Sequence, residues 1–280
     1  MSIPKKAAAA LAALGTVAAV YLGLKAPNND LDWQAQFKVL PEVTINGDKI
    51  VIGNLRDFRY QAAGKNASDQ IAQRQYLTGE YQFSQLKQLW YGISHFGAMG
   101  MAHVFVSFEF EGGQYLVVSI EARLQNSDDG YHPIRGLFRQ YQKTIVLATE
   151  QDVIGLRSHI RQEKVYLYPL ALDSDAQQEL LKGYLLVAQG LQQQPAFYNT
   201  FTDNCMTGLL KVTRSFNHWW QWLDYRIMLP GYSDRLSFER GLIKQADSLS
   251  AAQARYSIDG SKGAVDSSDF SSLIRQPKAL

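Results

Sequence analysis

The sequence predicts an α+β fold: an antiparallel sheet with packed helices, preceded by an apolar N-terminal segment. Three observations carry this. Met101–Phe110 and Tyr115–Arg123 alternate apolar and polar side chains with the two-residue period of a strand, and Glu111-Gly112-Gly113-Gln114 joins them. Asp173-Ser174-Asp175 precedes Leu180, Leu181, Tyr184, Leu185, Ala188 and Leu191, spaced as one face of a helix. Ala7–Leu24 is a run of 18 residues without a charge.

That run follows Lys5 and Lys6 and is closed by Lys25. As a helix it spans about 27 Å, close to the hydrocarbon thickness of a bilayer. Basic residues ahead of it predict a cytoplasmic N-terminus with the remainder exported. Two readings stand: an uncleaved anchor in the inner membrane, favoured by the length and by bulky Tyr21 and Leu22, or a cleaved signal peptide that frees the rest. The chain divides into this segment (1–25), a linker (26–42) and an exported domain (43–280).

Composition bounds the function classes. Of 280 residues 46% are apolar and 19% charged, ordinary for a folded chain. A net charge of +2 gives no reason to expect a nucleic-acid partner. A single cysteine excludes an intramolecular disulfide and any Cys-rich zinc site. His95, His103, His132, His159 and His218 are too scattered for a local ligand motif, and no glycine-rich phosphate loop occurs. No metal and no cofactor is expected.

Along the exported part, Val43–Ile52 reads as two short strands about Asn46-Gly47, the signature of a type I′ hairpin. Tyr81–Trp90 is a further candidate strand. In the central pair, a loop of Gly112 to Gln114 sets His103 opposite Arg123, Phe105 opposite Glu121 and Ser107 opposite Ser119. That register gathers both apolar faces together, as burial demands. It also collects His103, Ser107, Ser119, Glu121 and Arg123 on one surface, which is either a solvated face with a salt-bridge ladder or a site. Tyr141–Ala148 and Lys164–Pro169 read as strands, and Glu150–Gln162 starts as a helix carrying Arg157. Leu229–Tyr232 is a turn. The tail beyond Ser248 is polar and loose, with Phe270 and Ile274 placed to dock back.

The only cysteine, Cys205, follows a cluster of turn and cap formers (Asn199, Thr200, Thr202, Asp203, Asn204) and precedes a short apolar run. This pattern predicts Cys205 in the first turn of a helix, where the positive end of the helix favours thiolate, the nucleophilic form. Asp203 opposes that shift, because a nearby negative charge raises a thiol pKa. The other reading is a small buried apolar side chain. A thiol exported to an oxidising compartment is a liability unless buried or used. A thiol nucleophile needs a base and a group to orient it. His103 on one strand and Glu121 on the next, diagonal to it, suit those roles.

A helix-borne Cys facing a strand-borne His, with the His first in sequence, resembles the circularly permuted papain-like proteins of the NlpC/P60 and lecithin retinol acyltransferase group. Several ordered motifs narrow this: Asn54-Leu55-Arg56-Asp57-Phe58-Arg59-Tyr60, Ala102-His103, Ser119-Ile120-Glu121-Ala122-Arg123, Glu150-Gln151-Asp152-Val153-Ile154-Gly155-Leu156-Arg157, Tyr198-Asn199-Thr200 with Asn204-Cys205, and Leu229-Pro230-Gly231-Tyr232. Together these resemble the Lnb N-terminal periplasmic domain family over residues 43 to 275. That family includes the Bacteroides-type lipoprotein N-acyltransferase, which moves an acyl chain onto the N-terminal cysteine of a lipoprotein.

The resemblance implies a membrane-proximal periplasmic thiol acyltransferase or hydrolase, with phospholipid or lipoprotein as substrate and with Cys205, His103 and Glu121 as its catalytic residues. Asn204, Tyr198 and Ser119 take supporting or oxyanion positions in this account. Arg123 or Arg157 holds a lipid phosphate. Two other functions fit the same residues: a non-enzymatic envelope scaffold in which Arg56, Asp57, Glu121, Arg123 and Arg157 form a structural ion-pair network, and a peptidoglycan endopeptidase.

Overall fold

Strict alternation gives each central strand two faces, and the protein covers both. The computed structural model describes residues 13, 16, 20–62, 70–97, 100–200, 202, 224–243 and 246–276. Strands β1 (Glu42–Asn46) and β2 (Lys49–Arg56) form the first hairpin. Its turn is Gly47-Asp48, one residue later than the sequence predicts. Gly47 takes positive φ (59°) and Asp48 does not, so the turn is not the expected type I′. Next come β3 (Arg59–Tyr60), β4 (Ile71–Gln73), β5 (Tyr76–Gln82) and β6 (Leu86–His95). The candidate strand over Tyr81–Trp90 is thus two strands, divided by a short 3-10 turn at Phe83–Gln85.

The alternating pair forms β7 (Ala102–Phe110) and β8 (Gln114–Arg123). After it come α1 (Pro133–Leu137), β9 (Gln142–Ala148), α2 (Glu150–Gly155), β10 (Lys164–Pro169) and α3 (Ser174–Gln193). Beyond the segment outside the described residues lie α4 (Tyr225–Met228), α5 (Ser233–Glu239), α6 (Leu249–Tyr256), β11 (Ser257–Ile258) and α7 (Phe270–Leu273). The tail is therefore more regular than its composition suggests.

The main sheet runs β1-β2-β9-β8-β7-β6-β10-β11, with β5 also on β2. Its neighbours are antiparallel except β2 and β9, which touch in parallel at Arg56 and Ala148. Val104, Val106 and Phe108 face one core, filled by Leu180, Leu181, Tyr184 and Leu185 of α3. The intervening Phe105, with Val117 of β8, faces a second core built from Val153 and Ile154 of α2, Phe270 and Ile274 of the tail, and Trp33 and Phe37. Burying each large side chain stabilises the fold by about 1.5–3 kcal/mol. The surface carrying His103 is therefore covered rather than solvated. Residues 26–42, predicted as linker, include the buried Trp33 and Phe37. Asp173 caps α3 by accepting a hydrogen bond from the Ala176 amide at 2.8 Å, an interaction typically worth about 1 kcal/mol.

The central register is a correction. Phe110 pairs with Gln114 and Ser107 with Val117, so the three-residue loop is Glu111–Gly113 rather than Gly112 to Gln114. Gly112 and Gly113 both take left-handed φ, 73° and 77°. The loop closes where two residues tolerate that conformation, and Gln114 stays extended. The shift is even, so the faces are preserved. Continued by count, the register brings Glu121, not Arg123, into the row of His103.

Among the described residues no helix is long and apolar enough to cross a membrane. Most of Ala7–Leu24 lies outside them; Tyr21–Leu24 is helical. The helix expected at Cys205 also falls outside the described residues, and with it the permuted papain-like arrangement.

Candidate active site

The site grows from a missing side chain. Gly92 of β6 pairs with Phe105 of β7, and a Cβ at Gly92 would lie only 2.0 Å from the Phe105 ring. The ring therefore lies flat across the glycine. His103, two residues earlier on the same face, stacks on Phe105 with centroids 6.3 Å apart.

His103 Nε2 lies 2.7 Å from Ser119 Oγ. Ser119 Oγ donates to Glu121 Oε1 at 2.9 Å, and that carboxylate oxygen is 3.4 Å from His103 Nε2. Because the Ser119 hydroxyl gives its proton to Glu121, it offers a lone pair to His103. The ring then carries its proton on Nε2, and Nδ1 is the basic nitrogen.

Beyond α2 the chain widens into a π turn, Leu156–Ile160, in which the Arg161 amide donates to the Leu156 carbonyl. Such turns are rare and cluster at functional sites. Here it carries Arg157, whose Nη2 is 3.6 Å from Glu121 Oε1 and whose Nη1 donates to the Val153 carbonyl at 2.9 Å.

Burial and then the Arg157 charge push His103 below the usual histidine pKa, and Glu121 only partly offsets them. Burial pushes the Glu121 carboxyl up, but His103, Arg157 and Arg56 outweigh it and hold the group well below the carboxylate range. The result is a neutral imidazole beside a fixed carboxylate.

Arg56 and Asp152 buttress this cluster. Arg56 clasps Asp152 in bidentate fashion, at 2.9 and 2.7 Å. Asp152 also accepts from the Phe58 amide and the Tyr60 hydroxyl. Asp57 accepts from Arg59 and Thr149. Two sequence motifs far apart in the chain, one at residues 54–60 and one at 150–157, thus form one buried joint.

His103, Glu121 and Arg157 open onto a cavity of about 660 Å³. Glu163, on its wall, accepts a hydrogen bond from Ser94, which stands beside His103 in the β6–β7 ladder. Sequence reasoning passes over both residues, because a Glu between a helix end and a strand reads as solvated and nothing local links it to residue 94.

Tyr198 and Thr200 form another wall. The Lys143 amide donates to Ala196 and the Tyr198 amide to Tyr141, and Thr200 Oγ1 donates to the Pro133 carbonyl at 2.7 Å. Residues 196–200 are thereby pinned along the start of β9 and α1. Leu229 and Pro230 complete the rim. They are held there because the Gly231 amide donates to the Gly100 carbonyl at 2.7 Å.

Of the predicted site residues, the structure brings together His103, Ser119, Glu121, Arg157 and Tyr198. Cys205 and Asn204 lie outside the described residues. Arg123 is drawn elsewhere: it is buried, donates to Phe37 O and Asn29 Oδ1, and stacks 4.1 Å over Trp33. Its β8 position is close in sequence to Glu121, but its charge is committed to the segment at 29–38.

Compared with known proteins, the chain matches the family model described as the Lnb N-terminal periplasmic domain over residues 72–231, more than half its length. No curated protein and no solved structure matches it.

Proposed function

The chain belongs to the Lnb N-terminal periplasmic domain family, a premise that supports a periplasmic, envelope-associated role, and we propose that it is a membrane-proximal thiol acyltransferase or hydrolase acting on phospholipid or lipoprotein acyl groups. In this reading Ala7–Leu24 anchors it in the inner membrane, and Cys205 opens a helix in a permuted papain-like arrangement. One observation carries the proposal: the His103–Ser119–Glu121 relay opens into a cavity whose wall includes Thr200. Cys205 follows Thr200 by five residues, a length of chain reaching at most about 18 Å.

His103 Nδ1 takes the Cys205 proton while Ser119 and Glu121 hold the ring and its developing charge. The thiolate attacks the acyl carbonyl carbon. A C–S bond forms, the ester C–O bond breaks, and the proton on His103 leaves with the alcohol. Tyr198 and the amides near Asn204 stabilise the oxyanion between these steps. An amine or water then attacks the thioester, giving its proton to His103, and the C–S bond breaks to restore the thiol. Arg157, in reach of the cavity, suits an anionic headgroup.

The test is mass spectrometry of the full chain incubated with phospholipid carrying a labelled acyl chain. The expected result is label on the peptide containing Cys205 and its loss in Cys205→Ala with the melting temperature unchanged. Wild-type turnover by Cys205→Ala overturns the covalent route. Label absent from the wild type, with cleavage of muropeptides instead, moves the same chemistry to a peptide crosslink. No turnover of either substrate leaves the scaffold reading.

A further inference from the structure

We propose that the face carrying the cavity mouth is a docking surface for the bilayer, with lipid headgroups and the upper acyl layer as its occupant. The cavity is polar at its base and mostly apolar at its mouth, where the exposed Asp129 is paired with Arg135 at 2.9 Å. Phe96, Met101, Tyr131 and Leu229 all line it, yet each is more than a third exposed. Beside Tyr131, Ile134 of helix α1 and Phe138 just after it turn outward, 61% and 54% exposed. Large apolar side chains clustered in water mark a surface that meets another apolar phase.

Two observations identify that phase as lipid. Arg139, next to Phe138, donates Nη1 to the Leu22 carbonyl at 2.7 Å. The end of the uncharged run at 7–24 therefore lies on this same face. The chain is tied to the body again at Asn29, whose side chain donates to the Leu191 and Gln192 carbonyls. The few residues between Leu24 and Asn29 span at most about 18 Å, so the body stays close to the end of that run. Charge agrees: Arg139 and Lys25 flank the apolar residues, as cations do at the headgroup level of membrane proteins. The proposal rests on residues 7–24 being inserted in the membrane. It adds an orientation, in which the mouth faces the lipid and an acyl chain enters without crossing water.

Photo-crosslinking of the full chain in vesicles of phosphatidylethanolamine and phosphatidylglycerol tests it. Benzoylphenylalanine replaces Val20, Ile134, Phe138 or Glu111 one at a time, and lipid adducts are counted by mass spectrometry. Glu111 is the control, at the far end of β7 from the cavity, about 30 Å away by strand rise. The expected result is lipid adducts at 20, 134 and 138 at least tenfold above those at 111. Adducts at 20 alone keep the anchor and overturn the docking face. Adducts at 134 and 138 without 20 overturn the anchor and the orientation argued from it, leaving a peripheral lipid contact at the mouth. Lipid adducts at none of the three overturn both. Adducts from 134 or 138 to a second copy of the chain make this face a dimer contact and overturn the lipid assignment.

Discussion

At the scale of single residues, the site works by keeping an imidazole neutral and oriented. Burial and Arg157 lower the His103 pKa from its usual 6.5, so the acid limb of kcat/KM should break below pH 6.5. Arg157→Gln removes a cation that disfavours the imidazolium, so the limb should move up in pH; an unmoved limb means the Arg157 charge does not act on the ring. Ser119→Ala removes the hydroxyl that bridges ring and carboxylate, leaving only their direct 3.4 Å contact. It should lower kcat/KM about ten- to a hundredfold, at or below the low end of what general-base catalysis supplies, with little change in KM. Stability follows the same groups. Both His103 and Glu121 have folded pKa values below their unfolded ones. At these two sites the unfolded chain therefore binds more protons, and the stability they contribute is complete above pH 6.5. It is lost first as pH falls below 6.5 through the His103 window, then as pH falls below the ordinary carboxylate range through that of Glu121. Melting temperature measured against pH should show the first loss, to which His95, also held low by burial, contributes, and His103→Gln should reduce it.

At the scale of elements, two joints hold the site. Arg56 at the end of β2 and Asp152 in α2 bury a bidentate pair that also binds the start of β3 through Phe58 and Tyr60. Asp152→Ala strands a buried guanidinium and should cost about 3–5 kcal/mol, read as a lower urea midpoint. The second joint is backbone on backbone. A Cβ at Gly231 would stand 2.4 Å from the Gly100 carbonyl oxygen, and Gly100 itself has φ 73°. No flexible side chain can yield there, so Gly231→Ala should destabilise by about 1–3 kcal/mol and displace Leu229 and Pro230 from the rim. Local patterning makes these elements legible, since alternation marks β7 and β8 and a capping Asp marks α3. The joints are not legible. The Arg56 and Asp152 motifs stand out in sequence as motifs, but their partnership spans 96 residues.

At the scale of the whole molecule, the tail closes the second face of the sheet. Arg275 clasps the buried Glu150 at 2.6 and 2.7 Å, receives support from Ser107, and stacks 4.1 Å over Tyr115. Arg275→Ala leaves the Glu150 carboxylate buried without its cation. It should cost about 3–5 kcal/mol and open the 259–276 segment to limited proteolysis before global unfolding. By itself the sequence determined the α+β class, the positions of β1, β2, β7, β8, β9 and β10, the starts of α2 and α3, the docking of Phe270 and Ile274, and the placing of His103 and Glu121 on adjacent strands within reach of each other. These depend on periods and caps set by near neighbours. Tertiary structure alone decided the register, the covering of the second face and the fate of each arginine. A shift of two residues leaves a two-residue period unchanged, so alternation cannot see it. Which cation meets which carboxylate depends on segments a hundred residues apart: Trp33 and Phe37 fold over Arg123 and take it from the site, while the π turn delivers Arg157 to it.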